Sequence, residues 1–339
     1  MSQSAQITRL TPTAALPGGE ILLECTGLTL EPGMSFAVHC GGIPARLVGA
    51  SARRVLALVP DMTDGPVVPV QLVCDGVAGP SRDLIVGELL ADDLHLVANP
   101  AFDKITGALY VTRSGPRGQE LPVTLFRLDS YGDLHDISGD IMNPTGLAFD
   151  KKGQLFVSSR ADGTVYRVTE FAAVPFARNL GVATGIAFNG AGELFVGDRT
   201  GTIHRVNALG EALAWAELEP SVAAYHLAFG PDDALYVTGP TVSSNDAITR
   251  LDANGKAETF FSGFMRPQGM AFDIDGNLYV VACYKARRGL WRIPPSGTTC
   301  EMVLAGNNLI GLCCTPDGDL LAATNDAVYN VPLGLKGLL

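Results

Sequence analysis

The sequence predicts an all-β protein, a small β-sandwich followed by a six-bladed β-propeller, and three observations carry that reading. The stretch Asn143-Pro144-Thr145-Gly146-Leu147-Ala148-Phe149-Asp150, running on to Gly153-Gln154-Leu155-Phe156-Val157, returns five more times with wear. Its aromatic position falls at Phe102, Phe149, Phe188, Phe229 and Phe272 and, as a thiol, at Cys314, so successive steps run from 39 to 47 residues. A period near forty, with paired strands about a Gly/Asp turn, is the pattern of a propeller. Residues 7–88 lack the repeat but alternate short apolar runs with Gly/Pro turns, as a separate sandwich would.

The chain divides accordingly into a tail at 1–6, the sandwich at 7–88 and the propeller at 89–339. In the sandwich, strands are expected at Ile7–Leu10, Glu20–Thr26, Ser35–Cys40, Ile43–Ser51, Arg54–Val59, Val67–Asp75 and Arg82–Val86. Pro17-Gly18-Gly19, Glu31-Pro32-Gly33, Gly41-Gly42 and Asp64-Gly65-Pro66 punctuate them. Val68, Val70 and Leu72 alternate with Pro69 and Gln71, as one buried sheet face requires.

This segment resembles the IPT/TIG domain, the immunoglobulin-like fold shared by plexins and transcription factors. Pro17-Gly18-Gly19-Glu20, Leu23-Glu24-Cys25-Thr26-Gly27, Val38-His39-Cys40-Gly41-Gly42-Ile43-Pro44-Ala45 and Val59-Pro60 carry the resemblance. It implies a spacer or adhesive platform and no reaction.

From Leu96 each repeat continues into a third strand, such as Val165-Tyr166-Arg167-Val168 or Leu290-Trp291-Arg292-Ile293, and in most units into a looser fourth. Arginines 127, 167, 205, 250 and 292 recur at one position of the third strand and are expected to pair between blades. The last unit has only Pro332–Leu339 after its third strand. Either that tail or the segment near Val86–Ala91 must close the ring, and the Pro and two Gly of the tail favour the N-terminal segment.

The repeats resemble NHL-repeat propellers and, more loosely, the senescence marker protein/gluconolactonase family. That family holds a divalent ion at the channel mouth with Glu, Asn and Asp, which polarises a lactone carbonyl and activates water. The residues that open the innermost strands here are Ala98, Thr145, Thr184, Tyr225, Gln268 and Ile310. Ala98 stands where the resemblance implies Glu, and Thr145 where it implies Asn. Asp198 is the acid near the mouth, and one carboxylate with neutral neighbours is a poor site for a hard cation.

Other chemistries leave no signature. Ser158-Ser159 and Ser243-Ser244 lack a nucleophile elbow, no glycine-rich phosphate loop opens a helix, and the seven cysteines show no metal or redox spacing. His226 replaces the repeat's glycine beside Tyr225 and is expected to plug or line the mouth as a packed, hydrogen-bonded side chain. No catalytic residue, metal or other cofactor is expected.

Charge is distributed by face. The turns between first and second strands carry Asp103, Asp150, Asp232, Asp233, Asp273, Asp275, Asp317 and Asp319, although Asp-Gly also simply suits tight turns. The mouth-side loops carry Arg113, Arg117, Arg160, Arg199, Lys285, Arg287 and Arg288. A basic rim on a chain of net charge −11 predicts docking to an acidic protein surface, for example on an enzyme complex. The bulk charge argues against nucleic-acid binding. With no basic-then-apolar leader and no long apolar run, a cytoplasmic chain without membrane insertion is expected. The function so predicted is a non-catalytic scaffold or accessory subunit. The alternatives are a metal-dependent lactone hydrolase or a sensor of a small anion at the channel mouth.

Overall fold

The computed structural model describes residues 5–31, 33–61, 65–115, 121–137, 141–169 and 172–338. All regular elements among them are strands, and no helix is long and apolar enough to cross a membrane. Five blades run strictly in sequence order from the channel outward. Blade 1 comprises Ala101–Asp103, Ala108–Thr112, Leu125–Leu128 and Leu134–Asp136. Blade 2 comprises Pro144–Phe149, Leu155–Ser159, Thr164–Val168 and Ala173–Ala177. Blades 3 and 4 repeat the plan from Ala183–Phe188 to Ala212–Glu217 and from His226–Phe229 to Ala257–Phe264, and blade 5 runs from Met270–Phe272 to Glu301–Ala305. In blade 6, Leu309–Cys314, Leu320–Thr324 and Val328–Val331 are joined by Glu88–Ala91, which lies antiparallel to Val328–Val331. The ring is therefore closed from the N-terminal side. This avoids a final strand built from the Pro332–Leu339 tail, whose prolyl nitrogen cannot serve a ladder.

The repeated aromatic explains the period physically. Four of the five pack edge-to-face on an aromatic in the second strand of the preceding blade. The pairs are Tyr110–Phe149, Phe156–Phe188, Phe195–Phe229 and Tyr236–Phe272, with ring centroids 4.8 to 5.5 Å apart. Such pairs add specificity to blade stacking beyond the area buried. At the next step Tyr279 meets Cys314 instead of a ring. The missing volume admits the C-terminal tail: a side chain at Gly337 would meet Cys314 Cβ at 2.5 Å, and Leu338 N–H donates to Phe272 O.

Three of the third-strand arginines form ion pairs within their own blades, not between blades. Arg205 pairs with Glu193, Arg292 with Glu301, and Arg250 with both Asp232 (2.7 Å) and Glu258 (2.8 Å). Adjacent strands of one sheet bring these side chains side by side, whereas the blade faces are filled by apolar residues.

The N-terminal strands form two sheets around one core. One runs Gln6–Thr11, Glu20–Thr26, Arg54–Leu58 and Arg46–Ala50. The other contains Arg82–Val86, Val67–Cys74 and Phe36–Cys40, and it does not stop at the module's edge. Ala14–Ala15 lies parallel both to Arg82–Val86 and to the outer strand of blade 5, so a ten-stranded sheet runs from the propeller channel into the sandwich. That two-residue strand escaped the sequence reading because it has no alternation of its own. One apolar cluster likewise extends from Ile21, Val55 and Val86 to Phe264 and Trp291.

Candidate functional site

The face expected to carry the channel mouth is closed. Ala98, Thr145, Thr184, Tyr225 and Ile310 are buried at the ends of the innermost strands, and Gln268 is half-buried. Thr184 Oγ1 donates to Gly197 O (2.9 Å) and accepts from Tyr225 N (3.1 Å); the Tyr225 hydroxyl donates to Glu219 O. Gln268 O accepts from Thr238 Oγ1 at 2.6 Å. Beneath this layer the repeat's glycines let neighbouring blades meet. A Cβ on Gly146 would lie 2.5 Å from Thr184 O, and one on Gly185 would lie 2.4 Å from Tyr225 O. Ser158 belongs to the same seam. It is buried, its hydroxyl accepts from Gly146 N and donates to Thr184 O, and it is a structural bridge, not a nucleophile.

The positions where the family resemblance implies metal ligands do not fit a cation. Asp198 is 6% exposed, and its carboxylate accepts from Val182 N, Thr200 N and Thr200 Oγ1 at 2.5 to 3.0 Å while lying against Gly181. It locks its own loop. Among the described residues no three His, Cys, Asp or Glu side chains are grouped as metal ligands.

The open space lies at the other end. A cavity of about 660 Å³ follows the innermost strands from Ala98, Gly146, Gly185 and His226, all buried, to the first turns of the blades, where Lys104, Ile105, Lys151 and Asp233 are exposed. The channel thus opens on the face with the Asp-bearing turns, opposite the expected mouth. Several of those aspartates are spent on the turns themselves: Asp150 Oδ1 accepts from Lys152 N and Gln154 N, and Asp273 Oδ1 from Asp275 N and Asn277 N.

Two residues break the glycine pattern, Asn99 in blade 1 and His226 in blade 4, which face each other across a six-bladed ring. Asn99 reaches across the channel, donating to Met270 O (3.0 Å) and accepting from Leu312 N (3.2 Å). His226 was expected to be hydrogen-bonded, yet it has no such partner among the described residues, although it is only 5% exposed. Burial pushes its imidazole down to about 4, so it is neutral near pH 7. Cys313 also lines the wall, and burial pushes its thiol up, which keeps it protonated and unreactive. The sequence reading passed over Asn99, Lys104 and Lys151 as channel residues. The break in the glycine column was the available signal for Asn99.

The expected basic rim is not one patch. Arg287 is turned inward: its Nη2 donates to Thr11 O (3.0 Å) and Glu20 O (2.9 Å), and its Nε stands 3.7 Å from the Glu20 carboxylate. It clamps the N-terminal module to blade 5, a role invisible in a sequence where the partners are more than 260 positions away. Arg113, Arg160 and Arg199 are half-buried, and Arg199 donates to Val222 O at 3.3 Å. Lys285 and Arg288 are exposed at the blade 5 turn, the former 5.1 Å from the Tyr284 ring centroid. Arg117 lies outside the described residues.

No protein-family model matches the chain, nor does any curated protein sequence. Solved structures do. An auxiliary nutrient binding protein from Bacteroides ovatus is 13% identical, with 97% of this chain and 98% of that one covered and a TM-score of 0.55. A gluconolactonase from Xanthomonas campestris is 16% identical over 73% of this chain and 88% of its own, with a TM-score of 0.58. Virginiamycin B lyase from Staphylococcus aureus is 15% identical over 73% and 97%, with a TM-score of 0.54. The chain has the β-propeller fold of these proteins. At such identities the likeness extends to fold alone, and their differing activities show how little a propeller dictates.

Proposed function

We propose that the chain works by binding, as an accessory or docking protein, and not by turnover. The observation that carries this reading is the closed loop face, where Asp198 is fully engaged in its own loop and Ala98 and Thr145 offer no carboxylate. A hydrolytic ion would find neither ligands nor an open coordination position there. The Bacteroides ovatus binding protein, alike over nearly its whole length, agrees with this reading. The N-terminal module is then an IPT/TIG-type, immunoglobulin-like platform, a reading supported by two sheets sharing one core. An acidic partner would be met through Lys285 and Arg288. Reversing both charges should slow its association most at low salt.

The second reading, lactone hydrolysis, draws on the Xanthomonas campestris neighbour. One assay separates the two. Hydrolysis of δ-gluconolactone with calcium, manganese or zinc should not exceed the rate with metal and no protein. A metal-dependent rate that Asp198→Asn removes would overturn the binding reading.

A further inference from the structure

The propeller channel is blind, and its blind end carries one polar side chain left without a partner. Its walls come from the innermost strands, with Ile186, Leu227, Met270 and Leu312 among the residues lining them. At about 660 Å³ it falls within the range that holds a drug-sized molecule. At its floor Asn99 is already satisfied on both its oxygen and its nitrogen, by Leu312 N and Met270 O. His226 is not. It occupies a position where four of the six repeats have glycine, so the fold does not need a side chain there. The His226 nitrogens are not among the side-chain atoms sealed away without a partner, so the imidazole presents its polar edge to the cavity, where a bound group can reach it.

We propose that this cavity is a binding site for a compact, uncharged, largely apolar molecule bearing a hydroxyl or carbonyl group, which enters from the turn face and hydrogen-bonds His226. The absence of charge follows from the floor. Burial keeps the imidazole neutral, and the exposed charges, Lys104, Lys151 and Asp233, stand at the opening. A carboxylate or ammonium carried to the floor would lose its water and find no counter-charge, which costs several kcal/mol. A hydroxyl meets no such barrier, because a neutral imidazole offers one donor and one acceptor. Water also enters such a channel, but it gains nothing from the apolar walls, whereas an apolar body displaces it favourably. The site is entered from the turn face and its floor lies just inside the layer of Thr145 and Thr184, so it does not draw on the Asp198 carboxylate weighed for the loop face.

The inference rests on the binding reading, and its test uses three probes of one shape: benzyl alcohol, benzoate and benzylamine. Imidazole nitrogen and proton resonances are recorded on the full chain, with His226 assigned by its loss in His226→Leu. Benzyl alcohol should shift the His226 signals and raise the melting temperature, with an affinity at least about tenfold above either charged analogue. His226→Leu should abolish that discrimination. Lys151→Trp, at the opening, should slow association, whereas Arg160→Trp on the loop face should not. An unmoved His226 signal at saturating alcohol overturns the site even if the variant fails to fold. Equal binding of benzoate overturns the chemistry assigned to it. Hydrolysis of δ-gluconolactone would instead remove the binding reading, whatever the histidine spectrum gives, so the two failures are told apart.

Discussion

The two ends of the propeller channel are built from the same repeat and behave oppositely. At the loop end, glycines 146, 185, 269 and 311 draw neighbouring strands together until a single Cβ would strike backbone, in places at 2.4 to 2.8 Å. At the turn end, the aromatic position spaces the blades by a ring diameter, and the strands diverge around open volume. Residue size along one short strand therefore sets which face a ligand can enter. Resemblance to a family directs attention to the loop face; packing directs it to the other.

The largest expected effect comes from forcing the closed end. Gly146→Ala or Gly185→Ala should cost about 3 kcal/mol, because the clash is with backbone that cannot swing aside. Lys151→Ala at the open end should cost under about 0.5 kcal/mol. Chemical denaturation of the three variants checks the contrast, and equal losses would break it.

Next comes the clamp beside the closed face. Arg287→Met should lose about 2 kcal/mol, since Thr11 O, Glu20 O and the Glu20 carboxylate lose a shared donor. Reversal of Arg288 next to it should leave stability nearly unchanged. Asp198→Ala should cost a comparable amount, about 2 kcal/mol, by releasing Val182 N and Thr200. Millimolar calcium should shift the melting temperature of neither the wild type nor this variant, as only a ligand of the native state would raise it. A wild-type shift of many degrees that Asp198→Ala removes would reopen the loop face as a metal site.

Per pH unit, the smallest effect is a pH dependence seated at the blind end. His226 is held at about 4 when folded, against an ordinary value of 6.5. Between those values the unfolded chain binds a proton that the folded chain does not. Its contribution to stability therefore falls as pH drops from about 6.5 toward 4, by up to about 1.4 kcal/mol per pH unit, and levels off below. Because other groups titrate as well, the measurement is the difference between wild type and His226→Leu at several pH values. It should move in favour of the variant as pH falls through that window. A constant difference would mean the imidazole is solvated.

Much of this architecture is local and was therefore legible in the chain. Paired strands about Gly/Asp turns need only near neighbours. The aromatic column marks blade packing because each unit repeats the same contact with the one before it. Closure through Glu88–Ala91 could be inferred by elimination, from the poor strand chemistry of the last eight residues. The site was less legible, since its features depend on distant partners. Nothing near Arg287 announces Thr11 and Glu20, and nothing near Ala14–Ala15 announces the outer strand of blade 5. The sequence alone determined the period, the strand pairs and the two exceptions to the glycine column. Only the tertiary structure decided which end of the channel is open and that His226 stands at the other end with no protein hydrogen-bond partner among the described residues. Cavities and unmet hydrogen bonds are properties of surfaces brought together from all six blades, and no single stretch of chain encodes them.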